Sequence, residues 1–228
     1  MSYQYLLFDA DNTLFDFDQT AKDAFAATFV AFGMQQETHH YEQYWGISQG
    51  CWRDFEAKKI DQETLRRVRF ELFFEAAALE GNALKFNEKY LQNLVHHSSL
   101  LDGALDLLDG LHGKIPMAII TNGLKGVQRP RLKRTGLMDY FEAIVVSDEI
   151  GVSKPHAPFF DHTFEQINFP DKSEVLVIGD SLSSDIKGGN NYGLHTCWYN
   201  PKGLPNHLEV VPTYEIGDLA ELYEIVNL

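Results

Sequence analysis

Residues 3–13 read Tyr3-Gln4-Tyr5-Leu6-Leu7-Phe8-Asp9-Ala10-Asp11-Asn12-Thr13, an apolar run that stops on two carboxylates. Four more β-rich runs follow at Ile115–Ile120, Glu142–Val146, Glu174–Ile178 and Leu194–Tyr199. Most are continuously apolar rather than alternating, the pattern of parallel strands covered on both faces. Helical patterns at Ala104–Leu111, Gly126–Arg134, Pro158–Ile167 and Ser184–Asn191 fit crossover helices between them. Strand–helix alternation of this kind predicts a doubly wound α/β fold with a parallel, Rossmann-like sheet.

Residues 16–98 break the alternation. They hold no convincing strand, only helical periodicity. Asp18 can cap a helix with the apolar face Ala21, Ala24, Phe25, Phe29 and Phe32, stopped at Gly33. Tyr41, Tyr44, Trp45, Trp52 and Phe55 continue at helical spacing, with Gly46 and Gly50 weakening the pattern. Leu65, Val68, Leu72, Ala76 and Leu79 make a third face, and Tyr90, Leu91, Leu94 and Val95 a fourth. The expected division is a core of residues 1–15 and 99–228 with an all-helical insert, residues 16–98.

Composition narrows the partners. The 228 residues are 44% hydrophobic and 23% charged, ordinary globular values. Nineteen Lys and Arg against 33 Asp and Glu give a net charge of −14, which repels nucleic-acid polymers and anionic membranes. Small phosphates are repelled too, so a phosphate site needs local cations or a metal. Five cations cluster at Lys125, Arg129, Arg131, Lys133 and Arg134, which reads as a solvated helix face. Met1-Ser2-Tyr3-Gln4-Tyr5 lacks the cationic start and cleavage site of a secretory signal, so a cytoplasmic protein is expected. Cys51 and Cys197 show neither metal-ligand spacing nor a disulfide framework.

Four stations carry candidate chemistry. Asp9 and Asp11 close the first run, and strand alternation would point their side chains the same way. They could act as nucleophile and acid/base, or both bind a metal. Asp-Asn-Thr is equally good turn chemistry. Thr121-Asn122-Gly123 closes the second run, where a hydroxyl and backbone N–H groups could hold phosphate oxygens and Gly123 could permit an unusual backbone angle. An ordinary strand-to-turn junction is the simpler reading of that station alone. Lys154, beside Pro155, could project a fixed charge into a cleft or face solvent. Asp180 closes another run, with Asp185 five residues on, offering hard oxygen ligands suited to Mg²⁺. Asp185 could otherwise cap the next helix or orient Lys154. Taken together, all four stations fall at one edge of the sheet, where open α/β folds bind ligands.

In this order the stations resemble the haloacid dehalogenase superfamily. Asp9-Ala10-Asp11-Asn12-Thr13 matches its Asp-x-Asp-x-Thr, Thr121 its phosphate-binding Ser/Thr, Lys154 its lysine, and Gly179-Asp180 through Asp185 its acidic metal motif. The resemblance implies a Mg²⁺-dependent phosphatase. Asp9 would be nucleophile and metal ligand, Asp11 acid/base and ligand through its carbonyl, and Asp180 the third ligand. Thr121, the Asn122 backbone and Lys154 would hold the phosphoryl group, and residues 16–98 would be a C1 cap. Thr121-Asn122-Gly123, Arg131-Leu132, Thr135-Gly136-Leu137, Tyr140-Phe141 and Gly189 through Trp198 look like bacterial house-cleaning pyrimidine 5′-nucleotidases.

A small phosphorylated metabolite is the expected substrate, and a monomer or homodimer the expected assembly. Most aromatic residues of 41–55 are expected to pack the insert. Trp52, just after the Gly50–Cys51 break and where those nucleotidases also carry a tryptophan, is the candidate to stack on a nucleoside. A phosphatase or phosphomutase acting on a sugar phosphate shares every core residue. A dehalogenase has no leaving alkoxide for Asp11 to protonate. A non-enzymatic interaction protein would not need these side chains.

Overall fold

In the computed structural model, which describes residues 3–228, side chains along each central strand alternate between two apolar layers. Leu6 and Phe8 pack into one layer, Tyr5 and Leu7 into the other. The same split divides Met117 and Ile119 from Ala118 and Ile120, and Leu176 and Ile178 from Val175 and Val177. Continuous apolar runs are the sequence signature of this two-sided burial.

The strands are β1 (Tyr5–Phe8), β2 (Met117–Thr121), β3 (Ala143–Val146), β4 (Val175–Gly179), β5 (His195–Tyr199) and β6 (Tyr214–Ile216). They form one parallel sheet in the order β3-β2-β1-β4-β5-β6. This is the expected doubly wound sheet, and the order reverses beside β1. Each of the five expected strands lies within two residues of its reading. Met1 and Ser2, where the N-terminal reading began, lie outside the described residues. Sequence reasoning missed β6, a three-residue edge strand too short for periodicity to register.

The chain divides into two compact units, Met1–Phe17 with Ser99–Leu228, and Asp18–Ser98. The helices are α1 (Phe17–Ala31), α2 (His40–Glu56), α3 (Gln62–Ala76), α4 (Ala83–His96), α5 (Ala104–Leu111), α6 (Lys125–Arg134), α7 (Ser147–Ile150), α8 (Ala157–Gln166), α9 (Lys187–Tyr192) and α10 (Leu222–Val226). Pro130 lies inside α6 and deprives the Gly126 carbonyl of its usual amide donor. The single helix expected over Ser184–Asn191 is instead a wide π-helical turn, Leu182–Ile186, running into α9. Among the described residues no helix is long and apolar enough to cross a membrane, and both cysteines are free and buried.

In the helical unit, α2 runs unbroken through Gly46 and Gly50. Its centre is aromatic: Tyr44 stacks on Phe70 with centroids 4.5 Å apart and on Phe25 at 5.1 Å. The third face differs from the expected one. α3 buries Leu65, Arg69, Phe70, Phe73 and Phe74 and exposes Leu72, because the three phenylalanines carry more apolar area than the Val68–Leu72 stripe. Asp61 and Asn82 start α3 and α4 by accepting the Thr64 and Lys85 N–H groups. Phe70→Ala should therefore destabilise the helical unit by about 3–5 kcal/mol. Lost hydrogen-exchange protection of α2–α4 amides is the measurement that checks it.

Candidate active site

The loops that leave β1, β2 and β4, and the segment after β3, meet at the carboxyl edge of the sheet. β1 ends at Phe8, and Asp9 stays tied to β4 through its N–H, which donates to the Ile178 carbonyl at 2.8 Å. The chain then turns. Asn12 takes a left-handed φ of 59°, and its side-chain oxygen accepts the Phe17 N–H at 3.1 Å. Asp-Asn-Thr thus serves as turn chemistry, with the Asn12 side chain reaching the fifth residue on. Asp9 and Asp11 lie beyond the strand, so alternation does not align them, and they receive different donors.

Asp9 meets Lys154. The Lys154 ammonium is fully buried and donates to Asp9 Oδ1, Asp185 Oδ1 and the Ile120 carbonyl, each at 2.6 Å. Its three protons are thereby matched by three acceptors. Burial opposes the ammonium charge, yet Asp185 and Asp9 hold its pKa above the ordinary lysine range. Burial pushes the Asp9 carboxyl up to about 7, against Lys154 and with help from Asp185 and Asp11.

Asp180 joins them at the end of β4. One oxygen each from Asp9, Asp180 and Asp185 lies within 4.8 Å of the others. Burial, then the neighbouring Asp9 and Asp185 charges, raise the Asp180 carboxyl well above the usual carboxylate range. Its backbone is held on both sides: the Asp180 N–H donates to Thr13 Oγ1 at 3.1 Å, and the Trp198 indole N–H donates to the Asp180 carbonyl at 2.9 Å. Asp185 reaches inward from the π-helical turn and also accepts the Ser181 N–H at 3.1 Å.

Across the site, Thr121 Oγ1 accepts the Gly123 N–H at 3.1 Å, which leaves its own proton to donate. The Asn122 side chain is taken up by the Lys154 backbone, accepting its N–H at 2.8 Å and donating to its carbonyl at 2.9 Å. Gly123 does not have a left-handed φ. A Cβ there would lie 1.9 Å from Gln128 Nε2, so close approach requires the glycine rather than an unusual backbone angle.

The chain matches the haloacid dehalogenase-like hydrolase model over residues 6–199. It belongs to that family. Pyrimidine 5′-nucleotidase YjjG of Escherichia coli is 35% identical over 99% of this chain and 99% of its own. Pyrimidine 5′-nucleotidase PynA of Streptococcus pneumoniae is 35% identical over 100% of this chain and 96% of its own. The crystal structure of the HAD-hydrolase YfnB of Bacillus subtilis, bound to magnesium, superposes with a TM-score of 0.94 at 38% identity, covering 100% of both chains.

Trp52 belongs to the other unit, on α2. It is partly buried and packs edge-on to Phe55 with centroids 5.9 Å apart. Sequence reasoning missed Thr13 and Trp198 as supports of Asp180, and it misread Arg131. That residue leaves the expected solvated face and is buried against Asp11, while Arg129 pairs with Glu149. The signal was present: Val127 and Leu132 define the inward face of α6, and positions 128 and 131 fall on it.

Gly179 is a second close approach in the site. A Cβ there would lie 2.3 Å from Asp185 Oδ2. Asp185 is short and fully buried, so it cannot swing clear. Gly179→Ala should destabilise the protein by about 1–3 kcal/mol through overpacking, read as a lower urea midpoint.

Proposed function

We propose that this protein is a magnesium-dependent phosphatase that hydrolyses small phosphate monoesters through an aspartyl-phosphate on Asp9. Nucleoside monophosphates, the pyrimidine ones first, are its proposed substrates. The observation that carries the reading is the set of three carboxylates converging on one buried ammonium. Lys154 alone cannot neutralise Asp9, Asp180 and Asp185, and the neighbouring carboxylate charges add to the burial that raises the Asp9 and Asp180 pKa values. Hard oxygen donors in that number suit Mg²⁺. The residues to hold it are Asp9, Asp180 and the Asp11 carbonyl, with Asp185 alongside. When bound, the ion offsets charge on the phosphoryl group and in the transition state.

The chain's own groups account for the rest. Lys154 occupies Asp9 Oδ1, which leaves Oδ2 to attack phosphorus. The ester P–O bond breaks, its electron pair goes to the leaving oxygen, and Asp11 supplies the proton. Asp11 then takes a proton from water as that water attacks the aspartyl-phosphate, releasing phosphate and restoring the Asp9 carboxylate. The Thr121 hydroxyl, the Asn122 N–H and Lys154 hold the phosphoryl oxygens. A dehalogenase reading leaves the acid at Asp11 and the surplus of carboxylates without a task. The nucleotidase reading rests on the likeness to YjjG and PynA. In it the helical unit is the cap, Trp52 supplies a face for the base, and the enzyme works in the cytoplasm.

Magnesium-dependent release of phosphate from uridine and thymidine 5′-monophosphates tests the activity. Asp9→Asn should abolish turnover with the fold intact, because an amide is a poor nucleophile. Activity above a few per cent, once mass spectrometry excludes deamidation, refutes the assignment. Asp180→Ala should raise the Mg²⁺ concentration needed for half-maximal rate, and an unchanged metal dependence removes Asp180 from the ligands. Trp52→Ala should lower kcat/KM for a nucleoside monophosphate by about tenfold or more, from a stacking contribution of roughly 1–3 kcal/mol. A smaller loss is expected with p-nitrophenyl phosphate, and equal losses return Trp52 to helix packing.

A further inference from the structure

One helix brings an ion-pair partner and a hydrogen-bond donor to the Asp11 carboxylate. Arg131 Nη1 reaches Oδ1 at 2.5 Å and Gln128 Nε2 donates to Oδ2 at 2.8 Å. The two residues are three positions apart on α6 and therefore share a face. Arg131 is 1% exposed and Gln128 2%. We propose that Gln128 and Arg131 are positioning residues, a two-point holder that sets where Asp11 exchanges its proton with the leaving oxygen.

The alternative is a plain structural tie between the first loop and α6, and two observations speak against it. Asp11 is the one ion-pair partner of Arg131 among the described residues. The guanidinium lies 4.0 Å over the ring of Phe15, which belongs to the same loop as Asp11, so its plane is set by the loop it serves. Gly123, moreover, clears the path of the Gln128 amide, since a Cβ would occupy its position. Features from three segments thus converge on the placement of one carboxylate.

The inference rests on the acid role given to Asp11, and the test separates the two. Phenyl phosphates of similar shape but rising leaving-group basicity serve as probes, and kcat/KM is measured for each. A strongly basic leaving oxygen needs its proton, whereas nitrophenolate does not. Arg131→Met and Gln128→Leu should each lower kcat/KM for phenyl phosphate on the order of tenfold more than for p-nitrophenyl phosphate, part of the roughly 10²–10⁴-fold a placed acid supplies. In an Asp11→Asn background neither change should add further leaving-group dependence. Gln128→Leu keeps the Arg131–Asp11 pair, so it reads the proposal even where Arg131→Met fails to fold. A uniform loss across the series, or a dependence that persists without Asp11, overturns the positioning role. An Asp11→Asn variant that keeps the wild-type dependence overturns the acid assignment and this inference with it.

Discussion

The Lys154 ammonium is buried where four segments meet, and the geometry of the site hangs on its three acceptors. A buried cation is tolerated only with its charge paired and its donors matched, and here Asp9, Asp185 and the Ile120 carbonyl do both. The same contacts make demands elsewhere. Gly179 must lack a side chain so that Asp185 can reach in, and the π-helical turn at Leu182–Ile186 delivers that carboxylate. Asn122 locks the Lys154 backbone from the far side.

One ammonium and three carboxylates leave the site negative, in a protein whose net charge is already −14. A phosphate monoester is an unwelcome guest in such a field, and Lys154 is already engaged. A divalent cation resolves both difficulties at once, which is why the carboxylate cluster and the phosphatase reading stand together. Arg131, the other buried cation nearby, faces Asp11, so the two carboxylates of the first loop sit in separate electrostatic surroundings. Separation of that kind lets two like groups take different tasks.

Asp180 depends on a different sort of support. Thr13 holds its N–H and Trp198 its carbonyl, so the loop after β1 and strand β5 steady the residue that follows β4. Parallel pairing places those three strand ends side by side, and short loops then need little freedom to converge.

Much of this was legible in one sequence. Five strands were readable because a parallel strand buried on both faces is apolar at every position, a signal that survives without tertiary knowledge. Asp9, Thr121, Lys154 and Asp180 were findable because each follows such a run or lies just beyond one. Periodicity failed where it carried little information: in three-residue β6, and in α3, where two apolar stripes competed and the phenylalanines prevailed. Side-chain partnership was beyond its reach altogether. Whether Arg131 met solvent or Asp11, why Gly123 is glycine, and which indole holds Asp180 are settled by contacts between residues far apart in the chain. Local pattern determines which elements form and where the chemistry-bearing residues fall. Only packing decides which of them face one another, because burial and hydrogen-bond matching are properties of the assembled fold.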